Sequence, residues 1–265
     1  MFTNRRKNEF LKQEFYLFWG GLAFQAGFVN AAGFLACARF VSHMTGFGTQ
    51  VGISLSDSDY VMAVEMLSAP AAFLTGAMVS AFAIDRPIVE GRQPHYLLVM
   101  FGIFLVFTGV MMAGVWGWFG IFGEQLLYSR DFLLMGILCF VCGLQNACFT
   151  SLTRGQIRTT HLTGILTDIG IAFVKLFYMP DHTRDFTLLK RLNFVRMMTF
   201  CCFSFGSAVS AILVSHLGYL AFAMVVGTSS ILFMAMTYQA QQRAWQRKLE
   251  GARRARMESK QRRAG

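Results

Sequence analysis

The sequence predicts an all-α membrane protein in which six transmembrane helices form a 3+3 inverted repeat, with two short amphipathic or re-entrant helices. Three observations support this prediction. Apolar residues make up 55% of the chain and charged residues only 14%, whereas soluble domains contain about 25% charged residues. The apolar residues fall into long runs between charged loops, and motifs in the first half of the chain return in the second half.

Six apolar runs predict the transmembrane helices. A crossing takes about 20 residues, because a helix satisfies its own backbone hydrogen bonds where the bilayer core offers no water. A soluble helical protein would instead need polar faces on its outer helices, and these runs have none. The predicted spans are residues 16–38, 60–84, 96–119, 131–152, 195–217 and 218–238.

The repeat is visible in short motifs whose offsets between the two halves drift from 116 to 130 residues, as short loop insertions would produce. HMTGFGTQVG at residues 43–52 and HLTGILTDIG at 161–170 share five identical positions. The glycine–serine pairs at 76–80 and 206–210 are also equivalent, and we expect these small residues to let helices pack closely. Each half holds three spans, an odd number, so the second half must enter the membrane upside down relative to the first.

Basic residues predict the orientation. The N-terminal tail, the 85–95 loop, residues 153–196 and the C-terminal tail hold 22 of the 24 Lys and Arg residues, and the positive-inside rule places these regions in the cytoplasm. An eight-span alternative, in which 42–56 and 161–178 also cross, fits this distribution less well. The expected organisation is a basic N-terminal tail (1–15), a first membrane repeat (16–119), a second membrane repeat (131–238) and a basic C-terminal tail (239–265).

The two short elements carry the paired His-x-Thr-Gly sequences. In each element Ser, Thr and Gly recur every three or four residues, so they share one helical face opposite an apolar face. The start of such a helix offers free backbone N–H groups to an anion. An interpretation of equal weight is packing at the membrane surface, with the hydroxyls bonding to their own backbone.

Polar residues within the predicted spans are further candidates for a site, because an unpaired polar or charged group in a bilayer is costly. Asn30 and Asn146 occupy equivalent positions, where they either contact a solute or bond one helix to another. We expect each short helix to fold back so that its hydroxyls face the bundle interior near these asparagines, around a polar cavity. The candidate substrate-binding residues are Asn30, His43, Thr45, Thr49, Asn146, His161, Thr163, Thr167 and Asp168.

Catalysis and cofactors have no support in the sequence. The chain shows no nucleophile–base pair, phosphate-binding loop or metal-ligand motif. Its six cysteines lie in or near apolar runs, where a thiol packs as a small apolar group. We therefore expect no enzymatic activity, no metal site and no cofactor.

The C-terminal tail from Gln239 onward holds nine basic residues against Glu250 and Glu258. We expect it to continue as a helix from the last span and to lie along anionic headgroups of the lipid bilayer. Fixing the topology is the simpler account of most of this charge. Nucleic-acid binding is not expected, because Trp245 is the one aromatic residue of the tail.

Three motifs carry a family resemblance. GFVNAAGFL at 27–35, FVSHMTG at 40–46 and HLTGILTDIG at 161–170 resemble the YoaK-like family of bacterial integral membrane proteins of unknown function. The resemblance covers residues 16–238 and implies a multi-pass protein of the bacterial inner membrane. This chain has Asn30 where many members carry an acidic residue and Phe47 where many carry Asn, and both departures weaken a scheme in which a first-repeat carboxylate carries a coupling proton.

Two functions of different classes follow from these features. The first is a transporter or channel for a small solute, with the asparagines and the His-x-Thr-Gly elements lining its path between the repeats. The second is a non-transporting membrane scaffold or partner-binding protein, in which the same residues only hold helices together. A cavity between the repeats distinguishes the two.

Overall fold

The computed structural model describes residues 15–123, 129–153, 155, 161–180 and 183–264. Residues 1–14, most of the predicted basic N-terminal tail, lie outside these ranges. Every regular element within them is helical, which confirms the predicted all-α fold. In chain order the elements are α1 (Tyr16–Cys37), α2 (Met44–Ser56), α3 (Tyr60–Val89), α4 (Tyr96–Val115), α5 (Ser129–Leu152), α6 (Leu162–Tyr178), α7 (Arg184–Leu217), a 3₁₀ turn (Gly218–Phe222) and α8 (Ala223–Ala264).

Five helical segments in the described residues are long and apolar enough to cross a membrane. Four of them coincide with the first four predicted spans, in α1, α3, α4 and α5. The fifth is a stretch of 58 residues, Asp185–Gln242, and it contains both remaining predicted spans. At about 1.5 Å per residue a straight helix of that length would be more than twice as long as a bilayer core is thick.

That long segment reverses direction at Gly218. The φ and ψ angles of Gly218 are 54° and −128°, a conformation that a side chain disfavours and that glycine adopts readily. Phe194, near the start of α7, packs against Tyr16 with ring centroids 5.2 Å apart. Gln239 in α8 comes back to the same end of α1, where it lines a cavity with Phe15. The two helices on either side of Gly218 therefore run antiparallel.

The long helices α3 and α7 begin with side-chain caps. The Asp59 carboxylate accepts a hydrogen bond from the Met62 N–H at 3.0 Å, and the Thr183 hydroxyl accepts one from the Phe186 N–H at 3.2 Å. Such caps satisfy backbone donors that the first turn leaves free.

The short helices α2 and α6 precede these caps, and each packs against the long helix that follows it. At the other end of the chain, α8 continues through the predicted tail to Ala264, as expected.

The most extensive helix interfaces pair α1 with α7 and α3 with α5. In the first interface Gly27 lies against the Phe203 carbonyl and Gly206 against the Phe24 carbonyl, so closely that a methyl group at either glycine would overlap the carbonyl oxygen. The missing side chains let the backbones touch. This confirms close packing at the predicted small residue Gly206.

The interface of α3 with α5 uses the equivalent residues of the repeat. Gly143 lies against the Phe73 carbonyl and Gly76 against the Phe140 carbonyl, again with no room for a methyl group. Further along both helices, a hydrogen bond joins residues 85 and 151. The residue numbers of the contacts rise together on the two helices, so α3 and α5 run parallel. On α1 and α7 the ring contact of Tyr16 with Phe194 is followed by a hydrogen bond between residues 27 and 207. These two helices therefore also run parallel.

Equivalent helices α1 and α5 run in opposite directions. Trp19 of α1 meets Phe149 of α5 with ring centroids 6.2 Å apart. Three residues further along α1, the Leu22 carbonyl accepts a hydrogen bond from Gln145 Nε2 at 3.4 Å. The residue number rises on one helix while it falls on the other. Trp19 and Phe149 are wholly buried, so this crossing lies in the centre of the core.

Candidate functional site

Asn30 ties α1 to the loop that leads into α2. Its Oδ1 accepts hydrogen bonds from the Ser42 hydroxyl at 2.8 Å and from the Ser42 backbone N–H at 3.2 Å. The same loop is held by Val41, which is wholly buried and packs on Gly33 at a distance that leaves no room for a Cβ. Asn30 thus fixes the position at which α2 begins.

Asn146, the equivalent residue in α5, has different surroundings. Its Oδ1 is buried and has no hydrogen-bond partner among the residues that the structure describes. The residue equivalent to Ser42 is Thr160, which lies outside those residues. The Asn146 backbone carbonyl accepts a hydrogen bond from the Thr150 hydroxyl at 2.7 Å. An amide oxygen removed from solvent in this way carries a cost of about 1–3 kcal/mol.

His43 and His161 stand immediately before α2 and α6 and place the start of each helix. The His43 carbonyl accepts from the Gly46 N–H at 3.0 Å, and the His161 carbonyl accepts from the Ile165 N–H at 3.1 Å. Both imidazoles are exposed, and neither caps its helix. A methyl group at Gly164 would overlap the His161 ring, and one at Gly46 would lie 3.7 Å from His43 Nδ1. In the second motif the glycine therefore makes room for its histidine, whereas in the first motif a methyl group would fit.

The hydroxyls of the two short helices face away from the protein. Thr45, Thr49, Thr163 and Thr167 are all exposed, and we call Thr45 with Thr49 and Thr163 with Thr167 the two threonine faces. The Thr49 hydroxyl donates to the Thr45 carbonyl at 3.1 Å, and the Thr167 hydroxyl donates to the Thr163 carbonyl at 3.0 Å. The prediction that these hydroxyls face the bundle interior is therefore wrong.

Burial of the opposite face explains this orientation. Phe47 in α2 and Ile165 in α6 are 3% and 6% exposed, and burying such a side chain stabilises the fold by about 1.5–3 kcal/mol. The hydroxyls gain nothing comparable from turning inward, because each already donates to the carbonyl one turn earlier in its own helix. The apolar residues therefore decide which face packs on α3 and α7.

Asp168 joins α6 to α7 through an ion pair. Its Oδ2 lies 2.8 Å from Arg196 Nη2, and the Arg196 side chain is 16% exposed against 50% for Asp168. The equivalent positions in the first half are Gln50 and Met66, so this link exists in one repeat. A pair with one exposed partner contributes about 1 kcal/mol or less in water.

Two equivalent serines, which were predicted to be packing residues, also have buried polar groups without a partner among the described residues. Ser80 in α3 and Ser210 in α7 are wholly buried, and neither hydroxyl has a hydrogen-bond partner in the described part of the chain. Other buried or lipid-facing hydroxyls donate to their own helix, as Thr75 does to the Ala71 carbonyl at 2.8 Å. Leaving a buried hydroxyl unsatisfied costs about 1–3 kcal/mol.

Helix register places Ser80 at the level of Asn146. The Ser151 hydroxyl donates to Asp85 Oδ2 at 2.7 Å across the α3–α5 interface. Because these helices run parallel, counting five residues back along both of them leads to Ser80 on one and Asn146 on the other.

Ser210 lies at the level of Asn30 for the same reason. The Ser207 hydroxyl donates to the Gly27 carbonyl at 3.0 Å across the α1–α7 interface. Counting three residues forward along these parallel helices leads to Asn30 and Ser210. Each paired asparagine therefore shares its level with a buried, unpartnered serine hydroxyl.

Two buried glutamines lie between these levels. Gln25 Nε2 donates to the Ser229 hydroxyl at 2.7 Å, and Gln145 Nε2 contacts the Leu22 carbonyl. Since α1 and α5 are antiparallel, Asn146 lies near the level of residue 21 of α1, about 13 Å along the axis from Asn30. Polar side chains therefore extend through the core along the interfaces between the two halves. We call them the polar ladder: Asn30, Ser210, Gln25, Ser229, Gln145, Asn146 and Ser80.

Two cavities, of about 320 and 340 Å³, lie at the end of the bundle where α1 begins. The smaller is lined by Tyr16, Thr187, Lys190, Arg191 and Phe194. The larger is mostly apolar and is lined by residues 15, 18, 94–98, 152, 236, 239 and 240. Neither touches the predicted site residues, so neither is the polar cavity that the sequence analysis expected around the paired motifs.

A family model described as "Protein of unknown function (DUF1275)" matches residues 19–236. The match includes all of the polar ladder and both His-x-Thr-Gly elements. No curated protein and no solved structure matches the chain. The predicted membership of a family of unknown function is confirmed, while the YoaK name and the bacterial origin stay predictions.

Proposed function

The chain belongs to the DUF1275 family of proteins of unknown function, and on that premise we propose that it is a transporter or channel for a small polar solute in the bacterial inner membrane. The solute path runs along the polar ladder, between two halves of three spans each that are inserted in opposite orientations. Both termini lie in the cytoplasm. The proposal rests on the helix directions, the positions of the buried polar groups and the charge of the loops.

The helix directions support the inverted repeat. Besides α1 and α5, the equivalent helices α4 and α8 run in opposite directions: Phe101 meets Phe233 with centroids 5.9 Å apart, and Gly114 further along α4 packs on Tyr219, just before α8. The reversal at Gly218 divides the 58-residue segment into two crossings of suitable length. Six spans with cytoplasmic ends require α1 parallel to α7 and α3 parallel to α5, which agrees with their contacts.

The observation that carries the transport proposal is the pair of equivalent, wholly buried and unpartnered serines, Ser80 and Ser210. Two unsatisfied hydroxyls cost the fold several kcal/mol by the range given above, and a scaffold gains nothing from them. Transporters of the inverted-repeat class hold their sites between the repeats. A passing solute or water would exchange hydrogen bonds with these hydroxyls and with Asn146 Oδ1.

The chemistry of the ladder defines the class of solute. Its side chains are amides and hydroxyls, which offer both donors and acceptors but no charge. A divalent cation would need carboxylate ligands, and the ladder contains none. A small neutral solute with hydroxyl or amide groups fits this lining best.

The remaining predicted site residues belong to the ends of the proposed path. Thr45 and Thr49 lie on α2 and His43 immediately before it, on the outer side of the proposed topology. Thr163, Thr167 and Asp168 lie on α6 and His161 immediately before it, on the cytoplasmic side. Their exposed side chains suit a role in the approach to the ladder rather than a site inside the bundle.

Thiol accessibility tests the path without knowledge of the solute. The six native cysteines are replaced, and Ser80→Cys and Ser210→Cys are treated in sealed vesicles with a small, membrane-impermeant, charged thiol reagent. Ser80 lies nearer the cytoplasmic end of its span and Ser210 nearer the outer end, so we expect Ser80→Cys to react from the cytoplasmic side and Ser210→Cys from outside.

Two wholly buried alanines in the long helices provide the control. They are Ala69, in α3 together with Ser80, and Ala32 in α1, which packs against the helix of Ser210. Their cysteine variants should react far more slowly than those at the two serines. Equal, slow reaction at all four positions would mean that water never reaches the ladder, and the transport proposal would then be abandoned.

A second candidate function, a membrane scaffold or partner-binding protein, is favoured by the threonine faces and by the position of the two cavities, which lie at the end of the bundle and not along the polar ladder. In α2 the outward side also carries Gly48 and Gly52, four residues apart, with open space around both. Small residues at this spacing are typical of surfaces that pack on another membrane helix. Cross-linking through Thr49→Cys to another protein, together with unreactive ladder cysteines, would favour this second function.

A further inference from the structure

A groove between the first turn of α1 and the exposed beginning of α7 combines aromatic rings with positive charge. Thr187, Lys190, Arg191 and Phe194 follow one another at helical spacing, so they share one face of α7. All four are exposed. Tyr16 of α1 forms the facing wall, and its ring packs against Phe194 at 5.2 Å. We call these five residues the α1–α7 groove.

The order of side chains in the groove matches the layers of a membrane surface. Tyr16 and Phe194 stand where the apolar parts of α1 and α7 begin, the level at which aromatic rings meet the headgroups. Lys190 and Arg191 precede Phe194 by three and four residues, which places them about 5 Å further out. Cationic side chains therefore lie in the headgroup layer directly above the rings.

The two cations of the groove have no ion-pair partner among the residues that the structure describes. The ion pairs of the described residues involve Arg86, Arg92 and Arg196, and in this part of the chain neither Lys190 nor Arg191 has a carboxylate partner. A buried cation would be neutralised, whereas these two present their charge to the bilayer surface. Their ammonium and guanidinium groups match the phosphate of a lipid in sign and in hydrogen-bonding capacity.

The groove exists in one repeat. The first-half residues equivalent to Lys190, Arg191 and Phe194 are Tyr60, Val61 and Val64, which are exposed and carry no charge. The cations are therefore not inherited from the duplicated unit. They mark one side of the membrane, the side on which most of the basic residues of the chain lie.

We propose that the α1–α7 groove binds one anionic phospholipid, with its phosphate between Lys190 and Arg191, its glycerol region near the Thr187 hydroxyl and an acyl chain against Tyr16 and Phe194. The volume of about 320 Å³ suits a headgroup and the first part of a chain. This site is separate from the polar ladder and does not depend on transport. It also differs from the expected contact of the C-terminal tail with headgroups, because its residues are fixed by α1 and α7.

Lipid titration of the purified full-length chain in detergent tests the proposal. Native mass spectrometry counts bound phosphatidylglycerol and, in a parallel titration, zwitterionic phosphatidylcholine. We expect one phosphatidylglycerol to bind before the others. Its affinity should fall about fivefold for Lys190→Gln or Arg191→Gln and about thirtyfold for both together, since each cation near an anionic surface contributes a similar increment. Both side chains are exposed, so these variants should fold normally.

A charge-matched control separates the groove from general surface charge. Arg86→Gln with Arg92→Gln removes the same charge from the end of α3 and the loop after it, where both arginines contact Glu90, and should leave the first phosphatidylglycerol bound as tightly as before. Phe194→Ala should lower the affinities for phosphatidylglycerol and phosphatidylcholine by the same factor, so the preference for phosphatidylglycerol should stay. In all variants the C-terminal tail is unchanged.

Three results would overturn the assignment. Equal losses in the groove variant and in the control variant would mean that diffuse charge attracts the lipid. An unchanged first affinity in the groove variant would place the lipid elsewhere, including on the tail. Displacement of the lipid by inorganic phosphate or by glycerol phosphate at equal concentration would make this a site for a free anion rather than for a phospholipid.

Discussion

A methyl group added at Gly27 would overlap the Phe203 carbonyl oxygen, at a close contact between the backbones of α1 and α7. The neighbour is backbone, so no side chain can turn away, and the two helices must separate along their whole interface. Overpacking of this kind costs about 1–3 kcal/mol, and the rigid neighbour places Gly27→Ala near the upper end. Alanine returns about 1 kcal/mol through its better helix propensity, which leaves a net loss of about 2 kcal/mol.

Thermal unfolding of the purified protein in detergent, followed by circular dichroism, measures this loss. For a chain of this size about 2 kcal/mol lowers the Tm by about 4–8 °C. The control is Gly102→Ala in α4, where nothing lies within 4 Å of the added Cβ, so propensity alone acts and the Tm should rise by about 2–4 °C. Gly143→Ala, at the equivalent position of the second half, should behave like Gly27→Ala.

Close backbone packing therefore predicts a lower Tm for Gly27→Ala and Gly143→Ala and a higher Tm for Gly102→Ala. If Gly27→Ala and Gly143→Ala raised the Tm as Gly102→Ala should, the backbones would not touch at these glycines. The pairing of α1 with α7 and of α3 with α5 would then be incorrect. If Gly27→Ala lowered the Tm and Gly143→Ala did not, the close contact of α1 with α7 would stand. The α3–α5 interface would then not be packed in the equivalent way.

Three further predictions concern the links around the short helices. Asn30→Ala removes both hydrogen bonds to the Asn30 amide oxygen, whereas Ser42→Ala removes only the one from the hydroxyl. Each should lower the free energy of unfolding by about 1–3 kcal/mol, Asn30→Ala by more, and in denaturant titrations the double variant should lose little more than Asn30→Ala alone. Asp168→Asn should destabilise the protein more than Arg196→Met, because the first leaves a mostly buried guanidinium without its carboxylate whereas the second restores the residue found in the first repeat; equal Tm values for the two variants would contradict this. Gly164→Ala should displace the His161 ring and shift its proton resonances in the NMR spectrum, whereas Gly46→Ala, whose added methyl group would lie in ordinary contact at 3.7 Å from His43 Nδ1, should leave those of His43 nearly unchanged.

The helices themselves could be predicted from the sequence, because length and hydropathy are local properties. Four of the predicted spans coincide with separate helices, and the positions of α2 and α6 follow from their motifs. The boundary between the last two spans was equally visible at Gly218. The pairing of helices was not predictable in the same way: the small residues Gly76 and Gly206 indicated close packing but did not identify Phe140 and Phe24 as their neighbours.

The orientation of the threonine faces was predicted incorrectly for a physical reason. Depth in the membrane suggested that Thr49 and Thr167 need partners from the bundle, but each finds one in its own helix. Phe47 and Ile165 then determine the packed face. An amphipathic pattern shows that a helix has two faces; which of them packs depends on how much each gains from burial.

The contacts at the centre of the polar ladder could not be predicted from the repeat comparison. The first-half residue Gln25 corresponds to Val141, and Gln145 corresponds to Val29, so neither glutamine appears as a paired position. Their partners, the Ser229 hydroxyl and the Leu22 carbonyl, belong to other helices. Equivalent positions indicate what the two halves share, whereas these contacts form where the halves meet and their residues differ.

Sided labelling of two equivalent loops tests the central claim, insertion of the two halves in opposite orientations. Ser58, between α2 and α3, and Pro180, between α6 and α7, are both exposed, and each is changed to cysteine in a chain that lacks the native cysteines. A membrane-impermeant maleimide should reach Ser58→Cys only from outside intact cells and Pro180→Cys only in inverted vesicles. Labelling of both cysteines from the same side would contradict the inverted repeat, and with it a solute path between the halves.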